Sequence, residues 1–316
     1  MTPEAPARIV FLGSGDFAVP ILEALLAAPW AAVVGVVSGP DRPAGRGRSS
    51  RPTAVAARAG SEGLRLLRPE RLREPSVVSA IGDLRPDVGV LADYGRLVPP
   101  EILAIPPRGI LNVHPSILPR HRGATPIPAT ILAGDREAGV SVMAMDAGLD
   151  TGPIVAIERW PLDGAETAPD LEAEAARRGA ALVTRVLPDW LAGRLTATPQ
   201  PVDGVTLTRL ARRDDGRLDP TRSAAELERA VRAWLPWPGS FVDLPDGRLV
   251  VLEAAVVPSE PGDRPGTLVT DGDGLALATI DGRLRLRRVR PAGGREMTSG
   301  EYRRGRGRDV AGRVLA

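Results

Sequence analysis

Two side chains in the middle of the sequence have types and spacing suited to carbonyl chemistry. Asn112 and His114 lie at the end of a predicted parallel strand, and the carboxyl ends of strands are where open α/β sheets bind ligands. Pro115 biases His114 toward an extended backbone, so that Asn112 and His114 point to the same side. An amide donor beside an imidazole can stabilise an oxyanion developing on a carbonyl, and the imidazole can relay a proton. The alternative is that Asn112 ends a strand and His114 is structural.

A carboxylate further along the chain could serve the same chemistry. Asp150 lies between Gly148 and Gly152 in a predicted loop after a strand. Flanking glycines permit tight backbone geometry and close approach of a substrate. The carboxylate could orient His114 or accept a proton from an amine. Taken alone, such a segment is more often an ordinary turn.

Together the two segments resemble the 10-formyltetrahydrofolate-dependent formyltransferase family. That family has an Asn-x-His-x-Ser segment followed by a Gly-Leu-Asp-Thr-Gly loop, which here correspond to residues 112–116 and 148–152. The resemblance implies that Asn112, His114 and Asp150 are the catalytic residues.

The residues after His114 extend the resemblance. Residues 116–123 read Ser-Ile-Leu-Pro-Arg-His-Arg-Gly, similar to the family's Ser-Leu-Leu-Pro-x-x-Arg-Gly signature. The resemblance implies that 10-formyltetrahydrofolate is the co-substrate and that no metal is needed. It also implies that the folate site is lined by Ser116, Ile117, Leu118 and Pro119.

A second pattern near the N-terminus points to a different ligand. Residues 13–18 read Gly-Ser-Gly-Asp-Phe-Ala between a predicted strand and a predicted helix, which satisfies a G-x-G-x-x-A dinucleotide pattern. The acid expected about 20 residues further on is not well placed, because Asp41 begins an arginine-rich loop. Dinucleotide binding therefore remains the weaker alternative.

The segment that follows Asp41 is strongly basic. Positions 42 to 51 contain four arginines and no acid, and such a flexible cationic loop suits contacts with phosphates. A solvated surface loop is the alternative. The Pro-Asp-Arg-Pro-x-Gly-Arg-Gly pattern resembles an insertion that approaches the tRNA acceptor arm in family members acting on methionyl-tRNA. The resemblance implies that Arg42, Arg46 and Arg48 bind tRNA.

The C-terminal third has the features of a small basic β-domain. Short predicted strands are separated by Asp-Gly turns at positions 246, 273 and 281, a pattern typical of a small barrel. Between Arg283 and Arg313 there are eleven arginines and three acids, a net charge of +8, which predicts a basic surface. The Pro-Trp-Pro turn at 236–238 also resembles the family, which implies an OB-like domain that binds tRNA.

The elements that must position these residues follow from periodicity. Apolar runs at 8–12, 32–37, 87–91, 109–112, 140–145 and 154–157 alternate with helical or loop segments, and residues 171–187 form a predicted helix. Such alternation indicates an α/β fold with a Rossmann-like, mostly parallel sheet. We predict a catalytic domain at 1–192, a linker at 193–207 and an OB-like tRNA-binding domain at 208–316.

Composition excludes several enzyme classes. The chain has 316 residues with 43% apolar and 25% charged residues, typical of a globular protein. The absence of cysteine excludes disulfides, thiolate zinc sites and a cysteine nucleophile, and the absence of lysine excludes Schiff-base chemistry. No apolar run approaches the roughly 18 residues of a membrane span. We therefore expect a cytoplasmic protein.

The family resemblance implies a formyl transfer. The free amino group of initiator methionyl-tRNA would attack the formyl carbon of 10-formyltetrahydrofolate. Asn112 and His114 would stabilise the tetrahedral oxyanion, while Asp150 orients His114 and assists proton removal. We expect a monomer. The alternatives are formylation of an amino-sugar nucleotide, an inactive RNA-binding protein on the same scaffold, and a nicotinamide-dependent dehydrogenase.

Overall fold

The chain folds into two compact units. The computed structural model describes residues 5–44, 49–245 and 247–315. Unit 1 contains residues up to 126, residues 137–161 and residues 172–209. Unit 2 contains residues 127–136, residues 162–171 and the chain from residue 210 onward. The predicted domain boundaries at 192 and 207 stay a prediction.

The elements are numbered in chain order. The strands are β1 Ala7–Gly13, β2 Ala31–Val37, β3 Arg42–Ala44, β4 Ser49–Arg51, β5 Leu66–Leu67, β6 Val88–Ala92, β7 Ile110–His114, β8 Arg122–Gly123, β9 Glu137–Ala144, β10 Ile154–Pro161, β11 Leu207–Thr208, β12 Ser240–Leu244, β13 Gly247–Val257, β14 Leu268–Asp271, β15 Gly274–Ala278, β16 Arg283–Pro291 and β17 Met297–Thr298. The helices are α1 Ala18–Ala27, α2 Ala54–Ser61, α3 Pro75–Gly82, α4 Pro100–Leu103, α5 Pro126–Ala133, α6 Ala168–Leu191, α7 Ala224–Ala233 and α8 Ser299–Arg304.

Unit 1 is built on a mostly parallel sheet. In the described part of the chain its strand order is β10-β9-β7-β6-β1-β2-β5. Strands β7, β6, β1, β2 and β5 are parallel, whereas β9 and β10 are antiparallel to their neighbours. Residues 9–12 of β1 are each at most 1% exposed. Because alternate residues of a strand face opposite sides, both faces of this strand are covered, as in helix-flanked parallel sheets.

Strand β7 carries two of the predicted catalytic residues. The sequence places Asn112 and His114 where this strand ends, whereas the strand runs through His114 itself and is buried along its length. In the antiparallel ladder with β9, Asn112 lies opposite Met143 and His114 opposite Ser141. The alternation of a strand therefore puts both side chains on one face of the sheet, as the sequence predicts.

Helix α6 packs against this strand through a glycine. A Cβ atom at Gly179 would lie 2.8 Å from Val113 Cγ1 and 3.3 Å from Val140 Cγ2. The absence of a side chain thus lets the helix approach β7 and β9 closely. This contact covers the face of β7 opposite to Asn112 and His114, because Val113 points away from its two neighbours.

Unit 2 is a curled antiparallel sheet, a half-barrel, with α7 packed on it. The described strands are ordered β12-β13-β16-β15-β14, and β17 pairs with β16. Helix α7 begins with a capping box, in which Ser223 and Glu226 satisfy each other's backbone N–H groups. Its buried Leu227 and Val231 join the core of the half-barrel. The predicted fold class is confirmed.

The basic C-terminal segment is partly neutralised within unit 2. Among the described residues, five arginines of positions 283–313 form ion pairs with acids, four of them with acids that lie earlier in the chain. The pairs are Arg283 with Asp263 and Glu260, Arg285 with Asp271, Arg287 with Glu253, Arg288 with Glu296, and Arg304 with Asp273. The basic surface is therefore weaker than the count of +8 within the segment indicates.

Candidate active site

The loop between β9 and β10 brings Asp150 against the face of β7 that carries Asn112 and His114. The side-chain amide of Asn112 donates to Asp150 Oδ1 at 3.3 Å. The backbone N–H of Gly123 donates to Asp150 Oδ2 at 2.8 Å. An amide side chain has two N–H donors, and no described residue takes the second N–H of Asn112. The structure thus joins the two predicted motifs and leaves one donor for a substrate oxygen.

His114 is held in one tautomer by a backbone carbonyl. Its Nε2 lies 3.0 Å from the carbonyl oxygen of His121. A carbonyl oxygen only accepts hydrogen bonds, so Nε2 carries the proton and the neutral ring has its lone pair on Nδ1. That Nδ1 lies 3.8 Å from Asp150 Oδ2. The unprotonated nitrogen therefore faces the carboxylate.

Burial keeps His114 in its neutral form. The residue is 5% exposed, and burial lowers the pKa of His114 below its usual value of 6.5, although the charge of Asp150 and the His121 carbonyl act in the opposite direction. A neutral imidazole with a free Nδ1 is a proton acceptor. His114 is accordingly suited to act as a general base at neutral pH.

The Asp150 loop is held in an unusual backbone conformation. Asp150 has φ of +52°, a left-handed conformation that a residue other than glycine adopts at a cost. A Cβ atom at Gly152 would lie 1.8 Å from the carbonyl oxygen of Ala144. Asp146 accepts from the N–H of Gly148 and the hydroxyl of Thr151 at 2.9 and 2.7 Å. The flanking glycines thus permit a tight turn, which fixes where the carboxylate points.

Three residues that the sequence analysis missed support these groups. Gln200 donates to the carbonyls of Asp150 and Gly152. Thr206 accepts from the backbone N–H of His121 at 2.7 Å. His121 in turn offers its carbonyl to the ring of His114. The rarity of histidine could have drawn attention to His121. Gln200 and Thr206 carry no such signal, because they lie in the segment interpreted as a linker.

Comparison with known proteins identifies the family of this chain. Residues 7–187 match the family model described as formyl transferase, and residues 211–307 match the formyl transferase C-terminal domain. The chain belongs to the formyl transferase family. A methionyl-tRNA formyltransferase of Roseiflexus sp. (strain RS-1) is 45% identical over 302 residues, which are 95% of this chain and 93% of that protein.

Solved structures of other proteins share the fold of this formyl transferase. An N-formyltransferase from Helicobacter canadensis, crystallised with folinic acid and dTDP-3-aminofucose, superposes with a TM-score of 0.64 at 15% identity, covering 89% of this chain and 98% of that one. HypX from Aquifex aeolicus superposes with a TM-score of 0.61 at 18% identity over 98% of this chain. The formyl transferase spans about half, 51%, of the length of HypX.

In the predicted folate-binding segment of the formyl transferase, residues 116–119, some groups are buried or hydrogen-bonded within the protein itself. Ser116 is 1% exposed and donates to the carbonyl of Arg120 at 2.7 Å, and Leu118 is 2% exposed. Ser141 bridges the same segment, since its hydroxyl donates to the Ser116 carbonyl and accepts from the Leu118 N–H. Ile117 and Pro119 are half-buried. A ligand could therefore meet these two side chains more readily than those of their neighbours.

The glycine loop after β1 is lined by acidic groups. The formyl transferase has no room for a side chain at Gly15, where a Cβ atom would lie 1.7 Å from Asp93 Oδ2. Lost solvation, together with the charges of Glu172 and Asp16, raises the pKa of Asp93 to about 6. Burial and the charge of Asp16 also raise the pKa of Glu172. Three mutually repelling carboxylates disfavour an anionic diphosphate here, which argues against the dinucleotide alternative.

The arginine-rich segment is a short antiparallel pair. Strands β3 and β4 place Arg42 opposite Arg51 in the backbone register, where the sequence predicts a flexible loop. Arg46 and Arg48 lie outside the described residues, and the side chain of Arg42 is not described. The contacts predicted for these three arginines stay a prediction.

Within the described parts of the formyl transferase, no helix is both long and apolar enough to cross a bilayer.

Proposed function

We propose that this enzyme transfers a formyl group from 10-formyltetrahydrofolate to the α-amino group of methionine on initiator tRNA. The meeting of Asn112, His114 and Asp150 on one face of β7 is the observation that carries the proposal. The acceptor is supported by the 45% identity to a protein named methionyl-tRNA formyltransferase over 95% of the chain.

The amide of Asn112 stabilises the oxygen of the group being transferred. 10-Formyltetrahydrofolate supplies a formyl carbon that is bonded to a nitrogen leaving group. When the amine attacks, negative charge develops on the formyl oxygen, and the second N–H of Asn112 donates to it. The first N–H is held by Asp150 Oδ1 at 3.3 Å, so the amide is oriented before substrate arrives, as electrostatic stabilisation requires.

His114 and Asp150 take up the proton of the attacking amine. The sequence predicts that His114 also stabilises the oxyanion, but the single N–H of its neutral ring is donated to the His121 carbonyl, so the proposal gives that role to Asn112 alone. Formation of the new C–N bond makes the amine nitrogen acidic, and the lone pair on His114 Nδ1 is placed to take its proton. Asp150 Oδ2, 3.8 Å from Nδ1, stabilises the imidazolium. The proton then goes to the departing folate nitrogen as its bond to the formyl carbon breaks, so atoms and charge balance.

The proposal also assigns the residues that hold the folate and the tRNA. The folate is held near Ser116, Ile117, Leu118 and Pro119, with Ile117 and Pro119 providing the accessible surface. The tRNA is held by Arg42, Arg46 and Arg48, whose guanidinium groups suit phosphates. The enzyme acts as a monomer in the cytoplasm, where its substrate is used for translation initiation.

A transfer assay tests the chemistry and the acceptor together. Purified enzyme is incubated with formyl-labelled 10-formyltetrahydrofolate and either initiator methionyl-tRNA, elongator methionyl-tRNA or an amino-sugar nucleotide. We expect label on the initiator alone. Label on the amino-sugar nucleotide alone would show that the acceptor is this nucleotide and not methionyl-tRNA. No label on any amine would overturn the proposal.

The arginine assignment has its own test. Arg42→Ala should weaken tRNA binding and should lower the slope of log affinity against log salt by about one phosphate contact. Arg73→Ala is a matched control, since Arg73 is an exposed arginine of unit 1 that lies outside the segments assigned to tRNA binding. Unchanged affinity and slope in Arg42→Ala would remove Arg42 from the tRNA-binding residues.

A further inference from the structure

We propose that Gln200 is a positioning residue, which sets the location of Asp150 without touching substrate. This inference rests on the proposed function, since it takes Asp150 as part of the catalytic machinery. It assigns a role to a residue within the segment 193–207, which the sequence analysis interprets only as a linker.

The side chain of Gln200 joins two segments far apart in sequence. Its Nε2 donates to the carbonyls of Asp150 and Gly152, each at 2.8 Å. Its Oε1 accepts from Arg122 Nε at 3.0 Å and from Arg122 Nη2 at 2.7 Å. Both donors and both lone pairs of the amide are thereby used. The amide has one orientation that satisfies this pattern, so it acts as a rigid bridge.

Gln200 forms its hydrogen bonds at the part of the loop where the backbone conformation is strained. Asp150 has φ of +52°, and such a conformation persists only when surrounding contacts over-determine it. Gln200 holds the carbonyls on both sides of Thr151, namely those of Asp150 and Gly152. Loss of these two bonds would let the backbone relax and the carboxylate turn.

Arg122 and its neighbour hold Asp150 from two directions. The N–H of Gly123 donates to the Asp150 carboxylate at 2.8 Å. The Arg122 guanidinium reaches the Asp150 carbonyl through Gln200. The same two-residue strand, β8, thus fixes the carboxylate directly and the backbone through the bridge. A shift of the bridge changes the distance between Asp150 and His114, which is 3.8 Å.

The segment that carries Gln200 is tied down on both sides of it. Thr198 pairs with Ile154 through backbone bonds of 2.7 and 2.8 Å in both directions. Downstream, β11 pairs with β8 in parallel. The anchors keep Gln200 in place independently of its own side chain, so substitution of the side chain removes the bridge and leaves the segment attached.

Two substitutions separate positioning from folding. Gln200→Glu keeps an acceptor for Arg122 and gains an ion pair with it, but it cannot donate to the two carbonyls. Gln200→Met keeps the length of the side chain and loses every hydrogen bond. Val202→Glu is the control, because it adds the same charge to the same segment at a side chain that is 90% exposed.

Kinetics and hydrogen exchange are then measured on full-length proteins with unchanged urea midpoints. We expect kcat to fall roughly tenfold to a hundredfold in both Gln200 variants, as for a displaced catalytic group. KM for 10-formyltetrahydrofolate should stay within about twofold, because the bridge contacts no substrate. Amides of residues 148–152 should exchange faster in the Gln200 variants and at the wild-type rate in Val202→Glu. If Gln200→Met fails to fold, Gln200→Glu alone decides.

The outcomes distinguish this inference from the proposed function. A wild-type enzyme that formylates no amine defeats the proposed function, whereas the exchange rates of residues 148–152 still report on the bridge. Exchange rates in Gln200→Glu equal to those of wild type would overturn the positioning role. A kcat within about twofold of wild type, in an active enzyme, would overturn it as well.

Discussion

His114 Nδ1 and Asp150 Oδ2 face each other 3.8 Å apart, and in the neutral ring both atoms are hydrogen-bond acceptors. The His121 carbonyl fixes this arrangement, because it requires the ring proton on Nε2. Two facing acceptors share no hydrogen bond until a proton arrives between them. In the proposed mechanism, this gap receives the proton that the attacking amine gives up.

Replacing Asp150 should separate chemistry from binding. We expect Asp150→Asn to lower formyl transfer by about 10²- to 10⁴-fold, because an amide cannot stabilise the imidazolium of His114. Folate affinity should be unchanged, since the substitution preserves size. Single-turnover transfer of labelled formyl and fluorescence titration with folate measure the two effects. Wild-type transfer rates in this variant would exclude Asp150 from catalysis.

The tautomer and the pKa of His114 can be measured by NMR. The chain has only two histidines, so ¹⁵N-histidine labelling gives two imidazoles, and His121→Asn assigns them. We expect the Nε2–H tautomer for His114 and a pKa below 6.5, because burial disfavours the charged ring. The Asp150 charge raises this pKa, so Asp150→Asn should lower it further. A pKa above 6.5 in the wild-type protein would contradict the assignment of His114 as a neutral base.

Three carboxylates lie beside the glycine loop after β1, those of Asp16, Asp93 and Glu172, and they should make the free energy of unfolding depend on pH. The pKa of Asp93 is raised to about 6 by lost solvation and by Glu172 and Asp16. An acid whose folded pKa is raised destabilises the folded state while ionised. Asp93→Asn should therefore have a higher urea midpoint than wild type at pH 7. The difference should shrink as pH falls below 6 and should vanish only below the unfolded-state pKa of 3.8, where both states are protonated.

A single methyl group should displace the loop that carries Asp150. In Gly152→Ala the new Cβ would meet the backbone oxygen of Ala144 at 1.8 Å, which no side-chain rotation relieves. We expect transfer to fall by at least about a hundredfold, because the loop that carries Asp150 must move. The control is Gly60→Ala, in α2, where nothing lies within 4 Å. This control should gain about 0.5 to 1 kcal/mol of stability, and equal activities of the two variants would refute the steric account.

Much of the architecture could be predicted from local pattern. The strands and helices around Asn112 and His114 follow from apolar periodicity, and the element order confirms the α/β fold. The sequence also predicts that Asn112, His114 and Asp150 act together, because the two segments that carry them resemble one family's motifs, and the structure brings the three side chains together.

Other features depend on long-range contacts that the local sequence pattern does not predict. Gln200 acts on backbone carbonyls some 50 residues away, and Thr206 on a backbone N–H 85 residues away. Neither interaction constrains neighbouring residue types. The count of C-terminal arginines overstates the basic surface because their partners, such as Asp263 and Glu253, lie outside the segment that was counted.

The attachment of residues 198–208 to unit 1 bears on how such enzymes can be recombined. A chimaera that took residues 1–192 from this chain and the remainder from an enzyme with another acceptor would inherit Asp150 and His114 but not Gln200 and Thr206. The foreign segment would have to supply both hydrogen-bonding groups at matching positions. Grafts that exchange acceptor preference should therefore carry the parental chain at least through Arg209.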